Sequence, residues 1–305
     1  MNTIPWRGEA IPCLALGTVQ LGMPYGIANV QGQPDQATAT AIVAAAWECG
    51  IRWFDTAQFY GSEAVLGRAF RELGIADQAR ICTKLSHTLD PQDVASVAEA
   101  ITRSFENLGV DRVWCMMLHR VSWLEHWDAG LGDLLVRLRD EGRFEYLGAS
   151  LLTPSEGPAS LAHDEFDVLQ LAASAWDQRM QSLGILDRAE RSGRLCFIRS
   201  VYLQGLLTLL PEQVAKKLPV AADAAKSWHK LAAESGLPPV ELALRYALGF
   251  NKPLVAGAET PRQIQDTVEM ARRGPLPQEL QDRIKTLMAP KVSQGILEPF
   301  RWPKT

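Results

Sequence analysis

Eight times along this chain a short apolar run gives way to a segment with helical spacing, and no other feature restricts the fold so strongly. The apolar runs are Leu14–Gly17, Ile51–Asp55, Arg80–Lys84, Val113–His119, Tyr146–Ser150, Val168–Leu171, Leu195–Val201 and Pro253–Gly257. Helical patterns fill the gaps. Pro34-Asp35 opens one with Ile42, Val43, Ala46 and Trp47 on a single face, and Gly50 closes it. Ser62–Leu73 sets Val65, Leu66, Ala69, Phe70 and Leu73 at helical spacing. Asp90-Pro91 reads as the cap of a third helix, and Trp123–Glu141 as one continuous helix. Helical stretches at Pro154–Leu161 and Gln178–Arg191, a long one broken at Pro238-Pro239, and helices at Pro261–Ala271 and Pro277–Met288 complete the series. Strands that alternate with helices form a parallel sheet, and eight such units close into a barrel. The expected fold is therefore α/β, a (β/α)8 TIM barrel, as a single domain over residues 1–305 with an irregular tail over residues 290–305. An open doubly wound sheet is the alternative, but no G-x-G-x-x-G follows the first strand.

Charge and composition narrow the function. A net charge of −4 without a basic stripe argues against nucleic acid or an anionic membrane as partner. Cys13, Cys49, Cys82, Cys115 and Cys196 are scattered without metal-ligand spacing. They read as small buried hydrophobes in a reducing cytosol, and no metal site is expected. Met1–Arg7 lacks a signal-peptide profile, and no apolar run approaches ~18 residues, so the expected location is cytoplasmic.

In such a barrel, function sits at the C-terminal ends of the strands. There the sequence places Asp55, then Tyr60 in the following loop, Lys84, and His119. A cation beside a phenol stabilises the phenolate, and a carboxylate beside the lysine holds that cation in place. A histidine can orient a substrate carbonyl by hydrogen bonding. The set suits addition of hydride to a carbonyl, with Tyr60 supplying the proton. His87, His126, His163 and His229 read as structural or solvated. Met23, Tyr25, Phe59, Trp123 and Trp176 lie in loops after strands and are candidates for an apolar substrate pocket. Whether the tail Pro299–Pro303 covers the mouth is left open.

Asp55-Thr56-Ala57-Gln58-Phe59-Tyr60-Gly61-Ser62-Glu63 resembles the aldo-keto reductase signature. Thr83-Lys84 and Leu118-His119-Arg120 resemble that family's lysine and histidine motifs. Gly17-Thr18, Gly148-Ala149-Ser150, Leu169-Gln170, Gly205-Leu206-Leu207 and Gly257-Ala258-Glu259-Thr260-Pro261 match further landmarks in order along the chain. The resemblance implies an oxidoreductase reducing an aldehyde, ketone or sugar carbonyl, or running in reverse. It implies Asp55, Tyr60, Lys84 and His119 as the catalytic tetrad, and a nicotinamide cofactor laid across the strand ends. Ser150 and Gln170 match positions that hold the carboxamide. Gly17, Thr18, Arg199, Gly205 and Leu206 fall at further cofactor positions. Gly257, Ala258, Glu259, Thr260, Arg262, Gln263 and Asp266 form a phosphate-binding turn and helix start. NADP(H) is the implied cofactor, with NAD(H) as the alternative, because Glu259 would repel a 2′-phosphate and only Arg262 would offset it.

The chain departs from the family pattern at Leu151, Ser174, Arg199 and Thr267, where Asn, Asn, an aromatic and Asn are usual. Those departures keep open a nicotinamide-binding regulatory protein with vestigial catalysis, or a redox-neutral sugar-modifying enzyme with a retained cofactor. The oligomeric state is not readable.

Overall fold

The computed structural model describes residues 2–303. Two strands, β1 (Thr3–Trp6) and β2 (Glu9–Pro12), pair as an antiparallel hairpin. Eight more form the barrel: β3 (Leu14–Gly17), β4 (Trp53–Asp55), β5 (Arg80–Leu85), β6 (Val113–Leu118), β7 (Phe144–Leu151), β8 (Phe166–Ala172), β9 (Leu195–Arg199) and β10 (Leu254–Gly257). Each is parallel to the next in sequence, and β10 closes on β3 through Leu254↔Leu14 to Gly257↔Gly17. The expected (β/α)8 TIM barrel is the observed architecture.

The packing follows from the sequence pattern. Apolar side chains on the outer faces of the strands meet the helices, as where Phe54 of β4 sits edge-on against Phe70 of helix Glu63–Leu73 at 4.9 Å. Burying one such phenylalanine contributes about 1.5–3 kcal/mol. Inside the barrel a second cluster gathers Ala15, Cys82, Cys115, Met117, Val168, Phe197 and Val255 from six different strands. Trp6 of the hairpin joins this cluster. Its ring lies 6.2 Å from Trp114 and 4.8 Å from Tyr146, and its indole N–H donates to the Gly193 carbonyl at 2.9 Å. Trp114 and Tyr146 lie within the first three residues of their strands and Gly193 just before β9, so the hairpin closes the end of the barrel opposite the strand C-termini.

Several expected boundaries differ, each for a local reason. The third helix begins at Val94, because the Asp93 carboxylate, not Asp90, accepts from the Ser96 amide at 3.1 Å. Asp90 instead orders the preceding turn through the Gln92 amide at 2.9 Å. The expected helix Trp123–Glu141 is two pieces, a 3-10 segment Val121–Ala129 and an α-helix Leu131–Asp140. Gly130 separates them at φ 103°, a left-handed conformation that ends a helix. Gly184 (φ 69°) likewise divides Arg179–Ser182 from Ile185–Arg191. The tail is more ordered than expected. It forms turns of helix at Gln294–Leu297 and Pro299–Arg301, and buried Glu298 accepts from Arg179 at 2.8 Å. Among the described residues, no helix is long and apolar enough to cross a membrane.

Candidate active site

The barrel brings Asp55, Lys84 and Gln170 together from β4, β5 and β8. The Lys84 ammonium, fully buried, donates to Asp55 Oδ1 at 2.7 Å and to the Thr56 carbonyl at 2.8 Å. Gln170 Nε2 donates to the same Asp55 oxygen at 2.7 Å. Burial works against the lysine charge, but the adjacent carboxylate outweighs it, and the ammonium is held above its ordinary pKa. Lys84 Nζ lies 5.3 Å from the centre of the Tyr60 ring, and the His119 ring stands edge-on to Tyr60 at 5.5 Å. The four residues expected to act together are thus brought to one place.

Tyr60 is held from both sides. It ends a 3-10 turn, Gln58–Tyr60, and Gly61 follows at φ 72°. Gln58 donates to the Ala100 carbonyl and to Ser104 Oγ, both at 3.0 Å, and accepts from the Ser86 amide at 2.8 Å. On the other side, Ser62 Oγ shares hydrogen bonds with Thr56 at 2.8 Å and Thr18 at 3.1 Å. Glu63, at the head of the next helix, accepts from Thr83 at 2.7 Å and ties that helix to β5. Gly22 rests directly on this turn. A Cβ built there would lie 2.1 Å from the Tyr60 carbonyl oxygen, so only glycine permits the approach.

His119 is neutral here. Burial first, then the cations Lys84, Arg199 and Arg120, bring its pKa down to about 2. Its Nδ1 is buried without a hydrogen-bond partner among the described residues. His87 packs on it with ring centres 5.3 Å apart, and Phe59 packs on His87 at 4.4 Å. His87 was expected to be structural or solvated; it belongs to the site's wall. Its place three residues after Lys84 was the available signal.

A cavity of about 550 Å³ runs from Asp55 and Tyr60 past Gly17 and Arg199 to the turn after β10. Of the expected cofactor residues, Gly17, Thr18, Arg199, Gly205, Gly257, Ala258, Glu259, Gln263 and Asp266 line it. Thr18 spends its hydroxyl internally, donating to the Asp55 carbonyl at 2.9 Å. Ser150 and Gln170 lie deeper and are 3.5 Å apart. Leu206 is buried in an apolar cluster, and Thr260 caps helix Pro261–Arg272 by accepting from the Gln263 amide at 3.2 Å. Arg262 turns outward, 76% exposed, and pairs with Asp266 at 2.9 Å.

Among the expected pocket residues only Tyr25 lines the cavity. Loss of water around its hydroxyl, with Tyr60 nearby, pushes Tyr25 up to about 12. Trp123 and Trp176 are packed into apolar clusters, Phe59 is 44% exposed, and Met23 is half-buried outside the cavity lining. Two loops meet over the cavity. The Ile27 amide donates to the Gln204 carbonyl at 3.0 Å, and Ser200, Leu203 and Gln204 adopt left-handed φ values of 63°, 47° and 55°. Non-glycine residues pay for that conformation in strain, and such strain concentrates at ligand clamps.

The cavity suits a long polar cofactor. Gln20 and Arg199 line it, and Gln20 Oε1 and Arg199 Nε are buried polar atoms without a partner among the described residues. At Gly257 a Cβ would lie 2.4 Å from the Gln20 amide, so the Gln20 side chain packs directly on that backbone. One donor is already engaged, since the Glu259 amide donates to Gln263 Oε1 at 2.7 Å.

The profile of the aldo/keto reductase family matches residues 13–289. An aldo-keto reductase of Mycobacterium avium (strain 104) is 25% identical over 275 residues, 86% of this chain and 85% of the relative. One from Mycobacterium sp. (strain MCS) is 35% identical, but the match spans only 40% of this chain and 36% of the relative. The solved glycerol dehydrogenase of Gluconobacter oxydans superposes with a TM-score of 0.74 at 20% identity, over 100% of this chain and 98% of that one. The holo form of an aldo-keto reductase from Bacillus halodurans gives 0.73 at 21% identity, covering 94% and 95%.

Proposed function

The chain belongs to the aldo/keto reductase family of NAD(P)-dependent carbonyl oxidoreductases, and from that premise we propose that it reduces an aldehyde, ketone or sugar carbonyl, or oxidises the corresponding alcohol, with Tyr60 as the proton donor. The observation that carries the proposal is the buried Lys84–Asp55 pair at 2.7 Å beside the Tyr60 ring, at one end of a cavity of about 550 Å³ that extends to the turn after β10.

The bound nicotinamide would supply or accept the hydride. Gly17, Gly257, Ala258 and the start of helix Pro261–Arg272 would hold its phosphate end, and Ser150 and Gln170 the carboxamide end. Asp55 fixes the Lys84 ammonium, and that cation stabilises negative charge on the Tyr60 oxygen as its proton leaves. Neutral His119 donates or accepts one hydrogen bond to the substrate oxygen and carries no charge to stabilise there. The expected aldo-keto reductase cofactor is NADP(H). The local charges favour NAD(H) instead, because Glu259 lines the cavity while Arg262 is occupied by Asp266.

Two measurements test this reading. Quenching of tryptophan fluorescence by NADH and NADPH tests the cofactor, and failure of both to bind would remove its foundation. Tyr60→Phe should abolish turnover while leaving cofactor affinity nearly intact, and substantial activity in that variant would sink the proton-donor role.

A second reading, cofactor binding with weak turnover, draws on one observation. Gln170 Nε2 gives one N–H to Asp55, and Ser174 Oγ accepts from the Trp176 and Asp177 amides, so both have less capacity left to grip a carboxamide. Measurable binding with no hydride transfer across a broad carbonyl panel would favour it.

A further inference from the structure

The reactive end of the cavity carries a positive charge that the protein does not neutralise. Arg199 ends β9 and lines the cavity together with Tyr25 and Tyr60. Its guanidinium donates to the Leu151 carbonyl at 2.8 Å and to Ser200 Oγ at 3.2 Å, and to no carboxylate among the described residues. A guanidinium has five N–H donors, so three remain. One of them, on Nε, is buried without a partner among the described residues. The acid at this end of the cavity, Asp55, is the ion-pair partner of Lys84, and its Oδ1 accepts from Lys84 and Gln170 at 2.7 Å each. Of the other acids lining the cavity, Asp266 is paired with Arg262, and Glu259 stands on the turn after β10. A half-buried cation without a counter-charge is costly, and the cost is relieved by an anion that arrives with the ligand.

We propose that the substrate is a carbonyl compound bearing a carboxylate, and that Arg199 is its counter-ion and the residue that selects it. The inference rests on the reductase reading above and names the substrate class of the same site. A carboxylate suits the guanidinium N–H groups that the protein leaves unbonded, because charge-assisted hydrogen bonds from arginine to a carboxylate are the strong ones. Bound there, it leaves the carbonyl end of a short chain to reach Tyr60 and His119. Arg120, beside His119 and likewise outside any ion pair among the described residues, adds to the positive field.

The test compares two carbonyl compounds of equal length that differ in charge, 4-oxobutanoate and its methyl ester. The readout is the ratio of their kcat/KM values in the wild type and in Arg199→Met. The ratio should favour the acid in the wild type and fall about tenfold or more in the variant, equivalent to about 1.4 kcal/mol or more. A wild-type ratio at or below one overturns the proposal. So does an Arg199→Met variant that loses both activities equally, because the guanidinium would then serve the cofactor's own anionic groups. A binding arm separates this inference from the reductase reading. Butanoate should quench the tryptophan fluorescence of the cofactor-mixed protein at lower concentration than butanamide, and Arg199→Met should erase the difference. If neither carbonyl is turned over, the reductase reading falls and the butanoate comparison alone decides Arg199. If the ester is reduced as well as the acid, the reductase reading stands and the anion preference falls.

Discussion

Asp55→Asn removes one negative charge and almost no volume, and it should unbalance the buried floor of the cavity. Lys84 Nζ is fully buried and has two oxygens in reach, Asp55 Oδ1 at 2.7 Å and the Thr56 carbonyl at 2.8 Å. In the variant an uncompensated ammonium is left inside the barrel. Breaking a buried pair from one side costs about 3–5 kcal/mol. With a urea m-value of about 3 kcal/mol/M, the unfolding midpoint should drop by roughly 1–1.5 M. The pH dependence should change as well. In the native protein the lysine pKa is raised, so its contribution to stability is fully present below the unfolded value near ~10.4 and is lost only as pH climbs through the folded value. Without Asp55, burial is left unopposed and the folded pKa drops below the unfolded one. The unfolded chain then binds more protons, and stability rises with pH by up to about 1.4 kcal/mol per unit. Urea melts at pH 7 and pH 9.5 read both effects. The variant should be the more stable at pH 9.5, whereas the wild type should show no such gain from this group. A midpoint within 0.3 M of wild type (about 1 kcal/mol), or no rise with pH, would refute the claim that Asp55 holds the lysine charge.

His119, depressed to about 2, contributes stability that is present above the unfolded value near ~6.5 and is lost as pH falls below it. His119→Asn should flatten the acid side of the stability curve between about pH 6 and pH 4, and an unchanged slope in urea melts would contradict the assignment. Gly22→Ala must push against the Tyr60 carbonyl, 2.1 Å from the new carbon; it should cost about 1–3 kcal/mol and lower kcat at least tenfold, with cofactor affinity less affected. A variant with normal kcat would show that the Tyr60 turn tolerates displacement. Glu259→Lys should shift the ratio of NADPH to NADH affinity toward NADPH by about tenfold, read by fluorescence titration, and no shift would place the 2′-position elsewhere.

The barrel strands were legible because a strand buried on both faces leaves a continuous apolar run, and its last residue is polar only when something uses it. Asp55 and Lys84 stand out on that ground. The hairpin Thr3–Pro12 was not legible. Its strands are four residues long, hold two prolines and bury one face, and its only clear mark is the Arg7-Gly8 turn with both φ values positive, 47° and 83°. The break at Gly130 was hidden because helical spacing continues through it, and one glycine is tolerated in many helices. At the site, residues at strand ends were found and those that act on their neighbours were not. Gln58 and Gly22 sit in single turns of helix and His87 in a loop, segments too short for periodicity to indicate which side chain turns inward. Trp123 and Trp176 show the converse, since an aromatic residue in a loop fits packing and a pocket equally well.

The hairpin and the closing strand also set a timetable. Trp6 finds its acceptor 187 residues later, so at about 5–20 residues per second that bond is unavailable for roughly 10–40 s of synthesis. Leu14 waits longer still for Leu254 on β10. Until then the first strands have one unpaired edge, and Trp6 and Ile11 have no floor to sit in. A chain built this way finishes its barrel only after most of it has left the ribosome. The nascent chain, more than the finished protein, is therefore the form that needs shielding from its neighbours.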